Sequence, residues 1–206
     1  MVLQLARWRS SHVFPSNTCG PLPSWLKNRK MTRLIAAVLL MLGAAGQASA
    51  EVVDAGATGF SIKVNSEVNA PPATVFRLLS EQIGRWWDSA HTFSGSAANM
   101  TIEPRVGGCF CERLKNGAVQ HMIVTHIDAP RVLVLHGGLG PLSSMGVAGA
   151  LEWALEERSG RTQVQVVYNV GGYIKGDFTR LAPLVDGVIA NQVKRLKAFS
   201  ETGRPE

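Results

Sequence analysis

Cysteine is scarce, three in 206 residues, which excludes a small scaffold held together by disulfides. With 21 Gly and 10 Pro the chain is not collagen-like, and 46% hydrophobic residues are too many for a wholly disordered one. The motifs of nucleotide chemistry are also missing. The nearest approach to a P-loop is Gly171-x4-Gly176, where Asp177 stands in place of the required Lys and would repel phosphate. The glycines of 137–149 do not have dinucleotide-fingerprint spacing, and no Gly-x-Ser-x-Gly elbow occurs. Repeats, heptads and low-complexity tracts are absent as well.

Acid is missing from one part of the chain. Residues 1–50 contain no Asp or Glu but carry Arg7, Arg9, Lys27, Arg29, Lys30 and Arg33, so the whole formal charge of +6 belongs to them and 51–206 is formally neutral. A nucleic-acid binder needs a basic surface on its folded part, and no nucleic-acid partner is expected here.

From Met31 the chain reads as a basic start, an apolar run over 34–42 too short to cross about 30 Å of hydrocarbon, and small residues ending at Ala48 and Ala50. That is the pattern of a secretory signal over 31–50, cut after Ala50. It implies a periplasmic or secreted protein with no stable membrane anchor after cleavage. Residues 1–30 show neither helical nor strand periodicity and are expected to be a disordered upstream extension, with Met31 a candidate true start. Residues 51–58 are expected to be a short linker, 59–200 the folded domain and 201–206 a tail.

In the domain, Phe60, Ile62 and Val64 alternate with Ser61, Lys63 and Asn65, the period of a half-buried strand. Pro71-Pro72 ends it and suits the first turn of a helix over 73–79; a second short helix is expected over 82–87. After a polar loop, 89–98, strands are expected at 100–103, 109–114, 119–127, 132–137, 149–157 and 162–171. A long amphipathic helix follows, starting near Pro183 and running to Phe199, with Arg195 and Lys197 where the helix dipole favours cations. The fold class is α+β: a curved antiparallel sheet of about seven strands needs a cover, and the final helix is the only element long enough.

This order, with Phe60-Ser-Ile-Lys-Val, Ala70-Pro-Pro-Ala-Thr-Val-Phe, Trp86-Trp87, Glu103-Pro-Arg-Val-Gly-Gly and Ala129-Pro-Arg-Val-Leu-Val-Leu, resembles the SRPBCC (START-like, helix-grip) superfamily. Within it the chain is most similar to the branch of heat-shock-ATPase-activator homologues and polyketide-cyclase-like proteins. The resemblance implies a sheet wrapped around the last helix with a deep, mainly apolar cavity between them. It implies as partner a small apolar or amphipathic molecule and no cofactor. It leaves open a cyclase or hydratase activity, or a protein-interaction module without ligand whose partner is unknown. The co-chaperone role of the branch suits an exported protein poorly.

The most informative local feature is Asn116-Gly117, a two-residue hairpin signal. With these two at the turn, Lys115 faces Ala118, Glu112 lies opposite His121 and Phe110 opposite Ile123. The apolar face of that hairpin is expected to point inward, which sets Glu112 beside His121 in the cavity with Cβ atoms about 4.5–5.5 Å apart. A buried carboxylate and imidazole can exchange a proton as general acid and base, so this pair is the candidate catalytic set. His136 is expected beside Ile123 on the same face, but the spacing of Glu112, His121 and His136 lacks a metal-ligand signature and no metal is expected. Trp153 and Tyr168, from the apolar faces of their strands, are expected to line the cavity too. Trp86, Trp87, His91 and Phe93 would form an aromatic lip at its mouth, facing a mobile Gly-rich loop over 137–149. Cys109 and Cys111 point to one side of one strand, a poor disulfide geometry, and are expected to be buried, inert thiols.

Overall fold

The computed structural model describes residues 49–206; the extension expected over 1–30 and all but the last two residues of the signal expected over 31–50 lie outside them. Eight strands form one antiparallel sheet: β1 (Ser49–Ala55), β2 (Gly59–Val68), β3 (Met100–Ile102), β4 (Cys109–Leu114), β5 (Gly117–Asp128), β6 (Val132–Gly137), β7 (Val147–Arg158) and β8 (Arg161–Gly172). The spatial order is β1-β2-β8-β7-β6-β5-β4-β3, so the meander from β3 to β8 is closed off by the two N-terminal strands. Two short helices, α1 (Pro72–Glu81) and α2 (Ile83–Trp86), fill the connection between β2 and β3, and α3 (Ala182–Thr202) ends the chain. This curved open sheet under one long helix is the helix-grip arrangement. No helix among the described residues is long and apolar enough to cross a membrane.

Strand period accounts for the core. Phe60, Ile62 and Val64 of β2, Leu151, Trp153 and Leu155 of β7, and Val164, Val166 and Tyr168 of β8 are all buried, while their chain neighbours are not. Above them α3 buries Ile189, Val193, Leu196 and Phe199 at helical spacing. Pro183 stands in the first turn of α3, where its missing N–H costs nothing, and Gly203 closes the helix at φ 76°. The middle of the grip is filled: Trp86 sits edge-on to Trp153 with centroids 6.3 Å apart, and Phe60 edge-on to Tyr168 at 6.2 Å.

Three expectations are corrected. The stretch expected as a linker carries β1, an eighth strand, pairing Glu51 with Lys63 and Val52 with Ile62. It is an edge strand, mostly exposed, so it lacks the apolar alternation by which strands are recognised.

The hairpin register also differs. Leu114 pairs with Gly117, leaving Lys115 and Asn116 as the turn, and neither takes the positive φ that an Asn-Gly turn requires. Glu112 therefore pairs with Val119. One extra residue is then accommodated in β5, since Cys111 pairs with Gln120 but Phe110 with Met122. His121 is that extra residue, and it and Met122 are both buried. A bulge of this kind reverses which face each later residue occupies. Met122 and Val124 point into the core, and Ile123 is turned to the outer face beside Cys109 and His136.

Cys109 and Cys111 are joined in a disulfide, against the expectation of free thiols. Their Cα atoms are 5.4 Å apart, whereas two residues of regular strand span about 6.4–6.8 Å; the strand bends opposite the bulge. A ring that closes over one residue removes little chain entropy, so the bond adds little to overall stability.

Because α3 holds the sheet through a few buried side chains, Leu196→Ala should lower the unfolding free energy by about 2–5 kcal/mol, read from urea denaturation. A loss well under about 1 kcal/mol would show that α3 is not packed as described.

Candidate functional site

The segment after α2 is held to α3 by side chains from one face of that helix. Arg195 Nε donates to the Trp86 carbonyl at 2.9 Å, the Gln192 side-chain oxygen accepts from the Asp88 N–H at 2.9 Å, and Asn191 Nδ2 donates to Asp88 Oδ2 at 2.8 Å. Asp88 in turn caps the following turn by accepting from the Ala90 N–H at 2.9 Å. That backbone hydrogen bond and the contact with Asn191 outweigh the effect of burial and hold the Asp88 carboxyl below its usual range. Residues 87–93 are thereby fixed as a lip over the open end of the grip.

Between this lip, the loop after β6 and the N-terminal half of α3 lies a cavity of about 390 Å³. Trp87, Phe93, Leu142, Val185, Val188 and Ile189 supply most of its wall, and the lining is overwhelmingly apolar. Leu184 and Phe93 stand at the mouth, 68% and 54% exposed. The expected lip is present in Trp87, His91 and Phe93, and the expected Gly-rich loop faces it through Leu139–Leu142.

Between the lip and the facing loop His121 lines the cavity, with Glu112, the other buried polar group read from the hairpin, directly behind it. His121 Nε2 is 3.1 Å from Glu112 Oε2, with His121 3% and Glu112 0% exposed. They meet although their register differs from the expected one, because the bulge turns His121 inward toward the carboxylate. Each has further partners. Glu112 accepts from the Phe93 N–H at 3.0 Å and from the Ser94 N–H. His121 Nδ1 accepts from the Gly140 N–H at 3.2 Å. Since a backbone N–H can only donate, Nδ1 must be the acceptor nitrogen, and Nε2 carries the proton that goes to Glu112. The Phe93 ring stacks on the imidazole, centroids 5.9 Å apart and 11° from parallel.

Burial works against the charge on Glu112, but the donors of Ser94, Phe93 and His121 outweigh it and hold the carboxyl below its usual range. Burial also disfavours the charged imidazole and brings His121 down, with Glu112 opposing. At neutral pH the pair is therefore carboxylate and neutral imidazole, and neither imidazole nitrogen is free to meet a ligand.

The remaining residues named from the sequence fall outside the cavity wall. Trp86 is in the core, its Nε1 donating to the Leu78 carbonyl at 2.9 Å, rather than on the lip. Trp153 packs against it. Phe110 lies behind Trp87 and His121, at 5.8 and 5.4 Å. Tyr168 is buried below the Gly-rich loop, where its hydroxyl donates to the Gly137 carbonyl at 3.3 Å and accepts from the Leu139 N–H at 3.2 Å. Ile123 and the exposed His136 are on the outer face, so Glu112, His121 and His136 are not brought together as a three-residue set. The sequence reading missed the wall formed by the first two turns of α3. The breadth of the apolar stripe on α3 was its signal, since it exceeds what contact with the sheet uses.

Residues 59–201 match the family model described as polyketide cyclase / dehydrase and lipid transport. No curated protein matches the chain. Among solved structures, a protein from Rhizobium leguminosarum is 20% identical with a TM-score of 0.52, the match covering 74% of this chain and 97% of that one. A conserved protein of unknown function from Enterococcus faecalis is 16% identical with the same TM-score, covering 77% and 80%. At these identities the likeness is one of fold. With the grip architecture and the match across 59–201 together, the chain belongs to the polyketide cyclase / dehydrase and lipid transport family, within the SRPBCC superfamily.

Proposed function

We propose that this protein is exported and binds one small apolar or amphipathic molecule in the cavity at the open end of its grip. The observation that carries the reading is the cavity itself: about 390 Å³, walled almost entirely by apolar side chains and reached through a mouth flanked by Phe93 and Leu184. Such a pocket gains affinity from burying hydrocarbon, and polar groups fix only the orientation of what enters. Inclusion of lipid transport in the family description is consistent with that ligand class.

Binding is favoured over acid–base catalysis by the way Glu112 and His121 are used. A general acid or base needs a proton or lone pair directed at the substrate, and here both imidazole nitrogens are spent inside the protein.

Export is compatible with the fold of the N-terminal strand. Cleavage after Ala50 removes only the pairs made by Ser49 and Ala50 and leaves those from Glu51 to Ala55 in place.

Native mass spectrometry of freshly purified protein should reveal a co-purified lipid-like mass, and the uncharged probe 1-N-phenylnaphthylamine should brighten on binding. Val188→Phe, which fills the cavity from α3, should weaken probe affinity at least about tenfold, or 1.4 kcal/mol; unchanged affinity would remove the cavity as the site. Sequencing the N-terminus of the exported protein should return Glu51 first, and any other start refutes the cleavage position.

A further inference from the structure

Glu112 and His121 do more than satisfy each other. Their hydrogen bonds run without interruption from one side of the cavity mouth to the other: Phe93 and Ser94 N–H to Glu112, Glu112 to His121, His121 to the Gly140 N–H. Phe93 belongs to the lip and Gly140 to the facing loop, and both line the cavity. The chain of bonds is a brace across the mouth, and its two ends differ in kind. On the lip side the acceptor is a carboxylate with two backbone donors. On the loop side it is a single imidazole lone pair.

Resting on the ligand-binding reading above, we propose that protonation of His121 opens this mouth from one side only, freeing the Gly140 loop while Glu112 keeps the lip in place, so that acidification releases the bound molecule.

The chemistry follows from the proton count on the ring. A proton taken from water by Nδ1 turns the only acceptor facing Gly140 into a donor. Two N–H groups then point at each other and that bond is lost. At Nε2 nothing is lost, because its N–H to Glu112 becomes a charge-assisted bond to the carboxylate. The Phe93 ring, stacked on the imidazole, accepts a cation at least as well as a neutral ring. The lip thus keeps all of its bonds.

The loop is a short unit with a fixed stem. Its stem is held by Tyr168, which grips Gly137 and Leu139 and, with its own ionisation pushed up to about 12, stays protonated throughout. The backbone turns at Gly140, which takes φ 59°, into one short helical turn over Gly140–Ser144 whose Leu142 is buried. Gly137, at φ 149°, has no room for a side chain, because a Cβ there would come within 2.7 Å of the His121 carbonyl oxygen. That close approach keeps the stem on β5.

Charged groups around His121 are few. Glu112 faces it from β4, and His91 on the lip lines the same cavity. Asp88, also on the lip, is turned toward Ala90 and Asn191. The loop residues Leu139–Leu142 and the cavity face of α3 contribute no ionisable side chain. Burial holds His121 below the ordinary histidine range, so opening falls at pH below about 6.5. The sign is that of a depressed folded value: the closed state is complete above the unfolded histidine value and lost as pH falls through the folded one.

The test is amide hydrogen exchange of the exported protein between pH 8 and pH 5, corrected for intrinsic rates, together with 1-N-phenylnaphthylamine dissociation over the same range. Protection of 139–146 should fall at least tenfold on acidification, while that of 92–96 is unchanged, and probe dissociation should accelerate to match. In His121→Gln, which keeps a donor for Glu112 but does not titrate, both quantities should be flat with pH. Should that variant not fold, imidazole 15N shifts of the wild type decide, since Nδ1 protonation must track the loss of protection. The gate is overturned if 139–146 protection is independent of pH, if both sides of the mouth open together, or if folded His121→Gln behaves as the wild type. A loop that opens as described with no probe bound at any pH would leave the gate standing and sink the ligand reading; bound probe with a pH-independent loop would do the reverse.

Discussion

A carboxylate with no exposure to water must find donors, and Glu112 finds them in the backbone of the lip and in one imidazole. Leaving such a charge unpaired inside a protein costs several kcal/mol, so the path of residues 93–94 is decided by Glu112 as much as by their own sequence. The same requirement selects the His121 tautomer and thereby gives the opposite loop its acceptor. One buried charge therefore organises both sides of the mouth. Phe93 and Phe110 pack against the imidazole of the pair, and Trp87 packs against Phe110.

The grip would offer a longer hollow if its middle were lined with small residues. Instead Trp86 and Trp153 meet there, and Tyr168 packs beside Phe60. Interiors are packed about as densely as organic crystals, and four large side chains at the centre leave space where the sheet runs out and loops take over. The cavity is consequently bounded by the first turns of α3 and two loops, with the sheet contributing only Met100 and His121. The cavity wall is thus carried by connections placed by a rigid frame.

Much of the frame was legible in the residues. Strict alternation in β2, β7 and β8, the Pro71-Pro72 break and the broad stripe on α3 each have one physical reading. Glu112 and His121 were identified as neighbours, and the lip and facing loop were recognised from Trp87, Phe93 and the glycines after His136. What could not be read was the side to which residues beyond a bulge point. The additional residue at His121 reverses the faces of β5, and it carries Ile123 and His136 outward while Met122 and Val124 turn in. The alternation around Ile123 looks the same either way, because an outward isoleucine beside a disulfide on the next strand is tolerable.

Composition and periodicity alone determined that the chain makes a curved antiparallel sheet closed by a C-terminal helix, because burial of alternating and helical apolar faces is a local property repeated along each element. Only the tertiary structure decided where the hollow lies and which partners the polar pair meets. Those depend on which large side chains reach the same point from distant strands, and on which backbone donors a bulge and two loops bring to one carboxylate and one imidazole. Contacts of that kind form between segments far apart in the chain, and no local pattern encodes them.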